Sequence, residues 1–78
     1  MFGIKKKQKD IRRVHLDFAK GEAVKLKNGE EIEIWTKFME PSLFKTKVES
    51  LAFQRSLQVL DEPKTDEYDN LYIRVRKV

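Results

Sequence analysis

The sequence predicts a mainly β domain, with a small α+β fold as its alternative: a five-stranded OB-like or SH3-like barrel carrying one short helix. Three observations point there. Apolar and polar residues alternate in several short runs, the period of a half-buried strand. An Asn28-Gly29 pair sits between two such runs, and a type I′ hairpin turn needs positive φ at both central residues. Pro41 and the polar block 61–70 punctuate the rest, leaving room between them for one short helix and one strand.

The elements follow in chain order. Residues 1–10 lack periodicity and read as a flexible basic N-terminal arm, so the single β-rich domain spans 11–78. Val14, Leu16 and Phe18 alternate with His15 and Asp17, which predicts a first strand. Ala19-Lys20-Gly21-Glu22 reads as the break after it. Val24 and Leu26 alternate with Lys25 and Lys27, and Ile32, Ile34, Thr36 and Phe38 alternate with Glu31, Glu33, Trp35 and Lys37. These two runs form the predicted hairpin around Asn28-Gly29, with Val24, Leu26, Ile32 and Ile34 facing the core.

Past Pro41, the spacing of Phe44, Val48 and Leu51 suits a short helix over 42–49 with Ser42 as its N-cap. Leu51, Phe53, Leu57 and Val59 share one face of a strand, with a bulge near Arg55. Residues 61–70 read as a polar loop. Leu71, Ile73 and Val75 close the chain as a last alternating strand whose other face carries Tyr72, Arg74 and Arg76. Five strands with one apolar face need a second layer. With one short helix available, curling into a small barrel supplies it. The OB-like barrel comes first, the SH3-like barrel second, and a sheet packed on one longer helix third, which follows if residues 42–60 are helical.

Composition narrows the chemistry. Seventy-eight residues allow one domain with a thin core. With no cysteine and one histidine, disulfides are excluded and a structural zinc site nearly so. Absence of cysteine predicts a cytoplasmic, intracellular setting, a virion component included. No apolar run is long enough for a membrane span, and the lysines at the start precede no apolar stretch of the kind a secretory signal needs. The net charge is +4, but residues 1–13 hold six bases against one acid, so the remaining body is almost neutral. Residues 61–69 hold five acids against Lys64 alone. Charge is segregated along the chain rather than spread over it.

Most catalytic constellations are missing. His15 is the one side chain that titrates near neutrality without perturbation, and Asp17 lies two residues on. The pair supplies two metal ligands where three or four are needed, and it reads as an ordinary surface pair. The carboxylates fall in runs, which suit solvated edges better than a dry acid–base site. The three glycines are isolated, so no phosphate loop is present. No enzyme activity, cofactor or metal is expected.

A binding surface is expected instead. The face opposite the predicted core carries His15, Lys25, Lys27, Trp35, Lys37, Tyr72, Arg74 and Arg76. Aromatic rings interleaved with cations suit single-stranded nucleic acid, because rings stack on bases and cations follow phosphates. Lys5, Lys6 and Lys7 in the arm add further phosphate contacts. Two plainer readings compete: Trp35 filling a second small core under the helix or the N-terminal arm, and the cations serving as cross-strand partners of Glu31 and Glu33. The rival function is a protein–protein module or small structural subunit of a phage, mobile element or larger complex, recruiting a partner or a second copy along a sheet edge.

Overall fold

The structure is a computed structural model and describes residues 11–78, so the predicted arm and its Lys5, Lys6 and Lys7 lie outside the described residues. The elements run β1 (Arg12–His15), α1 (Leu16–Val24), β2 (Glu31–Lys37), α2 (Pro41–Arg55), β3 (Leu57–Val59), β4 (Lys64–Thr65) and β5 (Asn70–Lys77). The strands form one mixed sheet in the order β1-β2-β5-β3, with β4 also on β5. β1 runs parallel to β2, and β2, β3 and β4 each run antiparallel to β5. The sheet is open, so the domain is α+β and the expected barrel does not close. The second layer comes from two helices, which is nearest to the third of the predicted architectures.

The first alternating run does not stay a strand. At His15 the backbone is extended (φ −65°, ψ 146°), and the Asp17 N–H donates to His15 Nδ1 at 3.1 Å. His15 thereby caps α1, satisfying one of the donors that a helix start leaves open. Ala19 and Ala23, four apart and fully buried, are the residues α1 turns inward, while Phe18 and Val24 face solvent. The predicted inward position of Val24 is therefore corrected.

Gly21, read from sequence as a break, sits inside α1. A Cβ added there meets nothing within 4 Å. Gly21→Ala should therefore stabilise the domain by roughly 0.5–1 kcal/mol, as the midpoint of urea unfolding would show. An unchanged or lower midpoint would count against a helix at this position.

The Asn28-Gly29 signal marks a real turn, but not a hairpin. It joins α1 to β2, with Gly29 at φ +88°. The Gly29 N–H donates to the Lys77 carbonyl (2.7 Å), and the Lys77 N–H donates to the Glu30 carbonyl (2.8 Å), tying the turn to the end of β5. Leu26, Ile32 and Ile34 are buried as expected. The strands paired beside β2 are β1 and β5 rather than residues 24–27.

α2 is longer than the predicted 42–49. Glu40 takes the N-cap position with extended backbone and Pro41 opens the helix, where its missing N–H costs nothing, so Ser42 lies inside rather than at the cap. Phe44, Val48, Leu51 and Ala52 are buried, spaced as one face of a helix. Phe53, expected to point inward from a strand, is 90% exposed. Near Arg55 there is no bulge: the helix stops at Ser56, whose left-handed backbone (φ 56°, ψ 51°) lets its N–H reach the Ala52 carbonyl. The strand that follows keeps only residues 57–59 of the predicted run. The polar block 61–70 holds the two-residue β4 within it.

The core lies between the helices and one sheet face. Val14, Ile32, Ile34, Leu57, Leu71, Ile73 and Val75 meet Ala19, Ala23, Phe44, Val48, Leu51 and Ala52 there. Among the described residues no helix is long and apolar enough to cross a membrane. Both helices cover the same side of the sheet, and among the described residues the other side carries no layer over it; the site described next lies there.

Candidate nucleic-acid interface

Strand alternation sends every second side chain of β1, β2 and β5 away from the helices. The register then sorts these side chains into rows across the sheet. Glu31 of β2 lies opposite Arg76 of β5. In the next row, Arg13 pairs with Glu33 and Glu33 with Arg74. In the third, His15 pairs with Trp35, Trp35 with Tyr72, and Tyr72 with Lys64 of β4. Lys37 and Asn70 form the last row.

The first two rows are an ion-pair lattice. Arg76 Nη2 lies 3.1 Å from Glu31 Oε2, and Arg74 lies 3.8 Å from Glu31 and 3.5 Å from Glu33. Arg13 Nε donates to Glu33 Oε1 at 3.0 Å. Glu33 is 9% exposed, so two arginines flank a carboxylate largely withdrawn from water. An acid buried this far is tolerated because it is paired on both sides. The cross-strand reading of the cations therefore holds for Arg74 and Arg76, whose charge is spent largely on Glu31 and Glu33.

The third row is aromatic. The His15 and Trp35 rings meet edge to face, 4.6 Å between centroids at 89°. The Phe18 ring lies 6.4 Å from that of His15, at 66°. The Arg13 guanidinium sits 5.6 Å from the centre of the Tyr72 ring. Trp35 is half-buried, held by its neighbours in the sheet, and among the described residues no helix lies over it. It does not fill a second core under a helix; a core under the N-terminal arm falls outside the described residues.

Beside this row the surface dips into a recess of about 330 Å³, lined by Arg13, Trp35, Lys37, Asp66, Asn70 and Tyr72. The chain returning from β4 to β5 forms one side of it. Asp66 Oδ1 accepts from the Tyr68 N–H (2.9 Å) and the Asn70 N–H (3.0 Å), and Asp66 Oδ2 accepts from Asn70 Nδ2 (2.9 Å). These bonds fix the turn into β5, with Asp69 in the left-handed region at φ 65°.

The predicted site residues thus divide. Trp35, Lys37, Tyr72, Arg74, Arg76 and His15 share the uncovered face. Lys25 does not: it caps the C-terminal end of α1, 3.5 Å from Glu22. Lys27 lies in the turn before β2, where its N–H donates to Glu30 Oε1. Arg13, Lys64, Asp66 and Asn70 reach the aromatic row without having been singled out. Arg13 stands two residues before His15, so the alternation carried a signal for it; the other three arrive through pairing with β5. No protein-family model, curated protein or solved structure matches this chain. The reading of the face rests on its own geometry.

Proposed function

We propose that the domain is a non-enzymatic binding module that takes single-stranded nucleic acid across the uncovered face of its sheet. The observation that carries the reading is the row His15–Trp35–Tyr72, with Arg13, Lys37 and Lys64 around it. Flat rings on adjacent strands offer stacking platforms that tolerate any base, and cations at their margin follow the phosphates. Arg74 and Arg76, held by Glu31 and Glu33 and more covered, serve mainly to order the face. Arg13 and Lys64 are also paired, with Glu33 (3.0 Å) and Asp61 (3.2 Å), but stay more exposed and within reach of a phosphate. Lys5, Lys6 and Lys7 add positive charge from the N-terminal segment.

Salt dependence tests this division of labour. If Arg13, Lys37 and Lys64 each meet one phosphate, the slope of log affinity against log salt for a single strand should be about −2, at ~0.7 per contact. Contacts by the N-terminal lysines steepen it. Fluorescence anisotropy of a labelled oligonucleotide over a range of salt concentrations gives the slope. Double substitution of Lys37 and Lys64 with alanine should make it shallower by about 1.4 on the same scale. Binding undetectable at low salt would end the nucleic-acid reading and favour a protein partner, for which the exposed Phe18, Phe38 and Phe53 supply apolar surface.

A further inference from the structure

The recess beside Trp35 and Tyr72 has features that a stacking platform alone does not need. Its volume, about 330 Å³, is at the lower end of the range for small-ligand pockets, the size of one nucleotide rather than a strand. It brings together two rings, two cations and a carboxylate. A carboxylate beside a phosphate-binding surface weakens phosphate attraction, so its presence points to a different task.

The hydrogen bonds of Asp66 show how much of it is left for that task. An ionised carboxylate accepts at about four lone-pair sites. Oδ1 accepts two N–H groups from the backbone, and Oδ2 accepts one from the Asn70 amide. Among the described residues, one acceptor position on Oδ2 has no donor. The side-chain hydrogen bond from Asn70, with the two backbone N–H groups and the Arg13 charge, outweighs burial and holds the Asp66 carboxyl below the usual aspartate range. It therefore stays an acceptor and does not turn into a donor near neutral pH. Asn70 Oδ1, the single acceptor of that amide, is buried and has no hydrogen-bond partner among the described residues. The position left on Asp66 Oδ2 asks for a donor.

We infer that the recess is a single-nucleotide subsite that selects bases carrying an exocyclic amine, with Asp66 accepting from that amine, Trp35 and Tyr72 bounding the ring, and Arg13 and Lys37 meeting the phosphate. The inference rests on the nucleic-acid reading of the face and adds base preference to it. Cytosine presents an amine donor where uracil presents a carbonyl acceptor. A carbonyl facing Asp66 would set two acceptors against each other and leave both unsatisfied. The pair cytidine and uridine therefore tests the effect at constant ring size and constant phosphate, the reversal at N3 (acceptor in cytosine, N–H donor in uracil) accompanying that at the amine.

The experiment titrates isotope-labelled protein with cytidine and uridine 5′-monophosphates, followed by NMR shifts of the Trp35 indole and the Tyr72 and Asn70 amides. The cytidine nucleotide should bind roughly five- to tenfold tighter, the worth of one hydrogen bond made against one lost. Asp66→Asn, which replaces the Oδ2 acceptor by a donor, should level or reverse that ratio, with the Tyr68 amide shift reporting that the turn persists. Equal affinity of the two nucleotides for the unaltered protein overturns the subsite. So does an oligonucleotide that shifts Trp35 when neither mononucleotide does, and that result leaves the face reading standing. If the oligonucleotide also fails to bind, both readings fall together.

Discussion

Replacing Phe44 with alanine should cost the domain a large share of its stability. Phe44 is fully buried, at the point where α2 meets the sheet. Truncating a buried phenylalanine costs about 3–5 kcal/mol, through lost transfer energy and the cavity left behind. Small domains hold roughly 0.05–0.15 kcal/mol per residue, about 4–12 kcal/mol at this length, so the loss takes from about a quarter of the stability to all of it. The melting temperature should fall by at least ~12 °C, at about 4–8 °C per kcal/mol. Phe53→Ala supplies the contrast: the same residue type on the same helix, but 90% exposed. Its effect should stay within about 0.5 kcal/mol. Urea unfolding followed by circular dichroism measures both. Equal losses would mean that residues 51–59 present Phe53 to the core, as a strand would, and the helix assignment would fail.

That contrast also shows where the sequence was legible and where it was not. β2 and β5 are central strands, each with one buried face, so Ile32 and Ile34, and Leu71, Ile73 and Val75, alternate cleanly. A one-residue slip would expose the whole set, and the pattern is correspondingly strict. The 14–18 run is different. Three alternating apolar residues are too few to tell a strand from a strand that turns into a helix. The residues that face the core in α1 are alanines, whose hydrophobic signal is weak. In α2 the exposed Phe53 blurs the helical spacing of Phe44, Val48, Leu51 and Ala52, and Arg55 then looks like a bulge in a strand. The Asn28-Gly29 pair gave the turn but not the elements it joins, because a left-handed glycine serves a helix-to-strand connection as well as a hairpin.

The candidate face was legible for the same reason as the strands that carry it. Trp35, Lys37, Tyr72, Arg74 and Arg76 are the reverse side of the two cleanest alternations. Lys25 and Lys27 were placed with them only through the hairpin, and they left when it did. What sequence did not show was the partnering. Glu33 between Arg13 and Arg74 depends on the parallel pairing of β1 with β2 and the antiparallel pairing of β2 with β5. Both are long-range facts that local periodicity does not encode. The recess depends on the same pairings, since Asp66 and Asn70 reach Trp35 only through the return of the chain into β5.

Trp35→Ala should weaken binding of a single-stranded oligonucleotide by roughly 1–3 kcal/mol, a factor of about 5 to 150, the worth of one base stacked on an aromatic ring. The salt slope should barely move, because the indole carries no charge and releases no counterion. This separation distinguishes stacking on the face from simple attraction to basic residues. Trp35→Phe should keep part of the affinity, since it keeps a ring in the row between His15 and Tyr72. Tyr72→Ala should not add to Arg13→Ala as an independent loss would: the guanidinium lies 5.6 Å from that ring, so removing either partner already breaks the contact between them. Trp35 is half-buried, and each variant is therefore first compared with the parent by thermal melting, so that lost affinity is not mistaken for lost fold. Anisotropy titrations at fixed low salt, repeated at two higher concentrations, then give both affinity and slope. An affinity untouched by Trp35→Ala in a folded variant would remove the sheet face from the binding surface and leave charge alone to account for any binding that remains.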